Sequence, residues 1–347
     1  MLYDLPYFHD IDYIDFLNFN NSIYSIYYHL NSNLISSARV INYKYITNLE
    51  DTLSKINSNI KKYILFNARY NNIIRYDEIQ INNILDEIKN LKSKHLLDGI
   101  IFLDYYIIEL LVKEDKLLFK DIELIPSVNC FIDSIEKLES YFSYLRFIGI
   151  NNIPNKIVLD RSLNRNINKL KEVSDYIKSN YKDIKIEILV NEGCLYNCPY
   201  KINHDIFISL INDNTGVGMV YLNNLTVNNK FKLEKLNIDQ GCLKMYSENK
   251  NLILSSPFIR PEDIKYIEEY VDIIKISGRT LGKEFIEMVY NSYNNKEYNS
   301  NVIDILDTSN YLKDIIYIDN ETLPKNFFEI VSKCNKDCYK CKYCFNL

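Results

Sequence analysis

The chain has 347 residues, about the length of two average domains or of one large barrel with additions. Its net charge of −5, from 41 Lys plus Arg and 46 Asp plus Glu, does not favour nonspecific nucleic-acid binding, although it leaves room for a local basic groove. Apolar residues make up 47%, yet no stretch of about 18 uncharged apolar residues occurs, which excludes a membrane-spanning helix.

Met1–Tyr13 has no basic segment followed by an apolar core, so no secretory signal is expected and a cytoplasmic, reducing location follows. Clustered cysteines in such a location are metal ligands or redox groups more often than disulfides. The Ile, Asn, Lys and Tyr excess matches codon bias and implies no function.

In chain order, apolar runs alternate with helical patterns. Strands are expected at Ser22–Tyr28, Lys62–Ala68 and Gly99–Leu103, with a helix at Glu78–Leu97 before the third. Strands at Asp121–Ile125, Lys156–Leu159 and Ile184–Val190 follow, separated by helices at Ser134–Tyr144 and Arg165–Tyr181. The last two strands are expected at Asn251–Leu254 and Asp272–Ile276, with helices at Pro261–Tyr270 and Lys283–Tyr293. Pro261 suits a first helical turn, and Glu262 and Asp263 suit its positive end.

Continuous apolar strands alternating with helices imply a parallel α/β sheet, and their number favours a closed (β/α)8 TIM-type barrel over an open doubly wound sheet. Residues 1–295 form the expected barrel, with an insertion at 205–250 after the sixth strand. Weak strand signals lie in that insertion at Met219–Leu222 and Phe231–Leu236. Residues 296–347 form a C-terminal extension ending in a cysteine-rich run.

A barrel places catalytic groups after the C-terminal ends of its strands. Asn67, Arg69, Asp104, Ser127–Cys130, Asp160, Arg161, Asn191–Cys198, Ser255, Ser256 and Ser277–Arg279 all follow expected strands. In Asn191-Glu192-Gly193-Cys194-Leu195-Tyr196-Asn197-Cys198-Pro199, Gly193 allows a turn and two thiols stand four apart. Cys242 and Cys130 are the candidates to complete a four-thiolate site. That ligand count suits a 4Fe–4S cluster or, as the alternative, zinc.

The second constellation is Cys334-x3-Cys338-x2-Cys341-x2-Cys344. It reverses the bacterial ferredoxin spacing, and it lacks the longer loop that separates ligand pairs in zinc modules, so iron–sulfur ligation is favoured. Lys333, Lys336, Lys340 and Lys342 surround these thiols against Asp337 alone, and cations lower thiol pKa and offset cluster charge. The first three cysteines also match the C-x3-C-x2-C motif of radical S-adenosylmethionine enzymes, but at the wrong end of the chain.

The stretch from Pro126-Ser127-Val128-Asn129, through Ile157–Leu163, the strand before Cys194, Gln240-Gly241-Cys242 and Ser256-Pro257 to Asp263, resembles the collagenase-like peptidase family U32. Val271–Arg279, similar to that family's VDSLKIEGR segment, is the most specific element, and the resemblance runs over roughly residues 60 to 295. The resemblance implies a TIM-type barrel with a 4Fe–4S cluster on core cysteines. It also implies relatives that hydroxylate tRNA, ribosomal RNA or the ubiquinone ring without dioxygen, some taking the oxygen from prephenate.

On that basis Cys194, Cys198 and Cys242 fall in cluster-binding segments, whereas Cys130 has no counterpart. The Cys-x3-Cys spacing before Pro199 and the C-terminal cysteine run depart from the family pattern and point to a distinct subgroup.

Among other polar residues, Arg279, with Lys275 and Ser277 on one side of the last strand, could hold a carboxylate or phosphate, or form a structural ion pair. Arg161 and Arg69 have the same two readings. His204 is a candidate acid–base group, and Asp160 and Glu192 are rim carboxylates. The leading expectation is an iron–sulfur oxidoreductase, of the dioxygen-independent hydroxylase kind, from an anaerobic host. It would act on an RNA base, aromatic ring, peptide or small metabolite, with an electron donor or paralogous subunit as partner. A peptidase, a non-catalytic iron–sulfur subunit and a radical S-adenosylmethionine enzyme are the alternatives. No Ser/His/Asp, Cys/His or H-E-x-x-H arrangement supports the peptidase.

Overall fold

The computed structural model describes all residues except 31–33, 36, 40–48 and 213–232, and only the backbone of 211, 233–235 and 339. Its strands are β1 (Leu2–Pro6), β2 (Ile23–Tyr28), β3 (Lys61–Phe66), β4 (Gly99–Phe102), β5 (Glu123–Pro126), β6 (Lys156–Val158), β7 (Lys185–Leu189) and β8 (Ile273–Lys275). All pairings are parallel, in the order β5-β4-β3-β2-β1-β8-β7-β6. With helices between the strands, this is a nearly closed TIM-type barrel.

The seam lies between β5 and β6, neighbours with no ladder pairing among the described residues. Side chains stitch it instead. Glu123 accepts from the Asn155 backbone N–H at 2.9 Å and from its Nδ2 at 2.7 Å.

The helices are α1 (Ile11–Phe19), α2 (Leu49–Leu53), α3 (Glu78–Ser93), α4 (Tyr105–Glu114), α5 (Ile135–Phe147), α6 (Ile167–Asn180), α7 (Lys201–Ile211), α8 (Leu233–Asp239), α9 (Cys242–Glu248), α10 (Lys283–Asn295), α11 (Ser309–Leu312), α12 (Phe327–Lys333) and α13 (Cys338–Cys341). α3 shows why they form. Asp77 caps its first turn, and Ile81, Ile84, Leu85, Ile88 and Leu91 recur at helical spacing and are buried. Each such burial contributes about 1.5–3 kcal/mol.

Two expectations about the strands are corrected. Asn251–Leu254 lies in a 3-10 helix, Lys250–Ser255, and the eighth strand is instead the N-terminal β1. The insertion therefore follows β7. Met219–Leu222 lies outside the described residues, and from Leu233 the second weak signal is the helix α8. The Pro261–Tyr270 pattern is a shorter 3-10 helix, Pro261–Tyr266.

On the outer faces of the strands Tyr3, Ile26, Ile64, Ile100, Leu124, Ile157, Ile188 and Ile274 pack under the helices. Inside, Tyr63, Leu65, Ile101, Ile125 and Val158 share the barrel with four charges. Lys156 Nζ lies 2.6 Å from Glu187 and 3.3 Å from Asp4, and Lys275 bonds Asp4 and reaches Glu187 at 3.3 Å. Asp4, Lys156 and Glu187 have no solvent exposure. Burial pushes Glu187 up, aided by Asp4; burial opposes the charge on Asp4 too, but the two lysines hold it below its usual range.

Candidate functional site

Above this charged layer a cavity of about 90 Å³ opens at the C-terminal ends of the strands. Tyr27, Leu65, Ile101, Val158 and Leu189 floor it. Arg39, Arg161, Lys201, Lys275 and Arg279 line it against two carboxylates, Glu192 and Asp307.

Arg161 begins the turn after β6 and is ion-paired: it bonds Glu192 closely, donates to Asn129 Oδ1 at 2.5 Å and approaches Asp160 at 3.8 Å. Burial opposes its charge, but Glu192 and Asp160 more than offset this and raise its pKa. Lys201, at the start of α7, pairs with Asp205 at 2.9 Å and lies 4.0 Å from Glu192. Arg279 differs. Its Nη2 donates to Ser37 Oγ at 2.7 Å, its buried Nη1 has no hydrogen-bond partner, and among the described residues it forms no ion pair. Burial pushes it down to about 10. Gly278, at φ +125°, brings the backbone past Phe285, whose ring any Cβ there would strike.

Asp307 reaches the mouth from the C-terminal extension. It accepts from Gly193 N–H at 3.0 Å and from Ser277 Oγ at 2.8 Å, and burial, with Glu192 nearby, raises its pKa. Gly193 is needed for this close approach, since a Cβ would lie 2.0 Å from Thr308 Oγ1; its backbone is not in the left-handed region, where Asn197 sits instead. Asp160 caps the 3-10 helix Arg161–Arg165 through Ser162 N–H at 2.8 Å, and Asp104 caps α4, so both have local structural roles.

The Cys194 thiol lies near Glu192, and burial pushes its pKa up, as it does for Cys198 and Cys242. Cys198 and Cys242 are neighbours, Cys242 opens α9, and the buried Tyr246 of that helix has all three thiols around it. The Tyr246 hydroxyl donates to Gly193 O at 2.9 Å and meets Ser256 Oγ at 3.0 Å, tying α9 to the cysteine loop. Cys130 is not brought to this set. Its thiol donates to Phe102 O at 3.4 Å and lies near the Tyr105 hydroxyl, with Arg69 as its charged neighbour.

Arg69 also stands aside from the cavity: Nη2 donates to Asn129 O at 2.8 Å, and the guanidinium stacks on Phe131 at 5.0 Å. His204, on α7, faces Asn237 at 3.5 Å, does not line the cavity, and is pushed by burial down to about 4. Among the described residues no three His, Cys, Asp or Glu side chains are grouped to hold a single metal ion.

The four C-terminal cysteines line a second cavity of about 30 Å³ with Ile330, Val331, Tyr343 and Phe345. Arg39, Lys201 and Asp307, which complete the mouth, were not distinguishable in the sequence. Arg39 and Asp307 arrive from loops outside the strand ends, and Lys201 was masked by the nearby cysteines.

No family model matches the chain. Over 267 residues it is 32% identical to a Methanocaldococcus jannaschii protein named "Uncharacterized protease MJ1657", covering 77% of this chain and 69% of that protein. The solved structure of the U32 peptidase Mk0906 aligns with a TM-score of 0.49 at 14% identity, over 80% of this chain and 94% of that one. The carboxyl transferase domain of Rhizobium etli pyruvate carboxylase aligns with a TM-score of 0.35 at 11% identity, over 90% of this chain and 45% of that one.

Proposed function

The chain belongs to the collagenase-like peptidase family U32, and from that premise we propose that it is an iron–sulfur oxidoreductase acting on an anionic group held at the barrel mouth. Dioxygen-independent hydroxylation, or a related modification, is the reaction class. The observation that carries this reading is a cation-rich cavity bordered by the Cys194 loop.

Arg161, Lys201 and Lys275 have carboxylate partners and Arg39 has Asp205 and Asp307 as charged neighbours, whereas Arg279 keeps a buried N–H with no hydrogen-bond partner among the described residues for a substrate carboxylate or phosphate. Asp307, its pKa raised and its carboxyl bonded to Ser277, is placed to hold or release a proton beside that group. The apolar floor excludes water from below.

The donor set is chemically that of a thiolate-ligated cluster: Cys194, Cys198 and Cys242 are soft sulfur donors in the neighbourhood of Tyr246. These three residues would hold it, leaving one cluster position without a protein sulfur. When bound, such a cluster supplies a Lewis acid or a one-electron carrier. Because burial keeps all three thiols protonated, loading must release their protons and should weaken as pH falls.

A peptidase is the second reading, favoured by the relative's printed name. Against it, no histidine lines the cavity. Anaerobically purified protein is expected to contain iron and acid-labile sulfide, with C194A/C198A losing the barrel share by Mössbauer spectroscopy. Zinc without sulfide in that set would overturn the iron–sulfur reading, and peptide cleavage by cluster-free protein would favour the peptidase.

A further inference from the structure

We propose that Cys334, Cys338, Cys341 and Cys344 hold a second 4Fe–4S cluster, whose negative charge is met by the buried guanidinium of Arg165. The site is built by three short elements that turn back on one another. α12 delivers Cys334, α13 carries Cys338 and Cys341, and the closing 3-10 turn Cys344–Asn346 returns the fourth thiol. Lys336 and Lys342 adopt left-handed backbone conformations at the reversals, at φ +62° and +53°.

All four cysteines face one cavity whose other walls are largely apolar, and none is in a disulfide. A lone tetrahedral zinc would draw its four sulfurs to within about 3.8 Å of one another, and the Cys-x3-Cys-x2-Cys-x2-Cys run lacks the longer loop that separates ligand pairs in zinc modules. A four-iron cube needs its thiolates held farther apart.

Arg165 is the independent observation. It is 2% exposed, in the turn before α6, and wedged between the Phe258 and Phe327 rings at 4.9 and 5.4 Å. Its Nε donates to Ser256 O at 2.6 Å and its Nη2 to Leu254 O at 3.3 Å, while Nη1 is buried without a hydrogen-bond partner. Among the described residues it has no carboxylate ion pair. Burial pushes it down to about 10, and its electrostatic neighbours are Cys344, Asp263 and Cys334, of which Asp263 is already paired with Arg260 at 2.6 Å. A buried cation whose nearby carboxylate is committed to another arginine is costly. Four thiolates around a cluster would supply further negative charge beside Arg165.

Lys336 adds a second cation: its Nζ is 3.2 Å from Cys334 Sγ and 5.5 Å from the ring centre of Tyr196. Tyr196 lies between Cys194 and Cys198, so the tail site is seated against the loop that carries the barrel thiols. The Arg165–Ser256–Tyr246–Gly193 hydrogen bonds make a second link to that loop.

The test is iron and sulfide counting with Mössbauer spectroscopy on anaerobic full-length chain, on C338A/C341A and on C194A/C198A. The expected result is a loss of about four iron and four sulfide in C338A/C341A, whatever the barrel variant does. Iron unchanged in C338A/C341A, or zinc without sulfide in the tail of the wild-type chain, would overturn the tail site. Should C338A/C341A not fold, C194A/C198A decides: iron and sulfide retained there support the tail cluster, and their complete loss overturns it. Failure of the barrel reading shows separately, as no iron lost from C194A/C198A.

Discussion

Arg161 and Arg279 both leave the C-terminal end of a barrel strand, yet their surroundings give them different tasks. Arg161 is neutralised by Glu192 and Asp160, whereas among the described residues Arg279 has a serine hydroxyl and no carboxylate partner. R279Q is therefore expected to weaken binding of inorganic phosphate, used as an anion probe, about 10- to 100-fold by isothermal titration calorimetry, the worth of one charge-assisted hydrogen bond. Wild-type affinity in R279Q would remove Arg279 from the site. Both arginines could be named from the sequence because strand ends of a barrel are where function gathers. The ion pairing that separates them depends on Glu192 and Asp160 folding onto one of them, which residue type does not reveal.

At the scale of elements, the sequence hides β1 and imitates a strand at Asn251–Leu254, for related reasons. A run of three apolar residues suits a buried strand or a tight helical turn equally well. Leu2–Pro6 hides its strand character because Asp4 interrupts it, and Asp4 is tolerated only because two lysines from β6 and β8 meet it. The seam between β5 and β6 shows the same dependence on a distant partner. E123A removes both hydrogen bonds to Asn155 from a carboxylate that is 7% exposed, and should destabilise the fold by about 1.5–3 kcal/mol. Thermal unfolding, with faster amide exchange near Asn155–Val158, would check this, and unchanged exchange there would mean the seam is held otherwise.

For the whole molecule, the charged layer inside the barrel is the feature on which most elements converge. Strands β1, β6, β7 and β8 each contribute one charge, and Ser25 of β2 adds a hydroxyl. K156M leaves Asp4 and Glu187 with Lys275 alone and should cost about 3–5 kcal/mol in urea unfolding. Pairing it with E187L restores charge balance and should recover part of that loss. Equal stability of K156M and wild type would show that the layer contributes nothing net.

The alternation of strands and helices, the placement of polar residues after strands and the run of four C-terminal cysteines are local properties, written in periodicity and spacing. They were therefore legible from the sequence alone. Which residues meet across the barrel was not. Cys130 is the candidate fourth thiol because it follows an expected barrel strand, yet it lies against Tyr105 while Asp307, from the C-terminal extension, closes the mouth. Burial and long-range pairing, which set the charge and reach of each side chain, exist only once the ring of strands has formed.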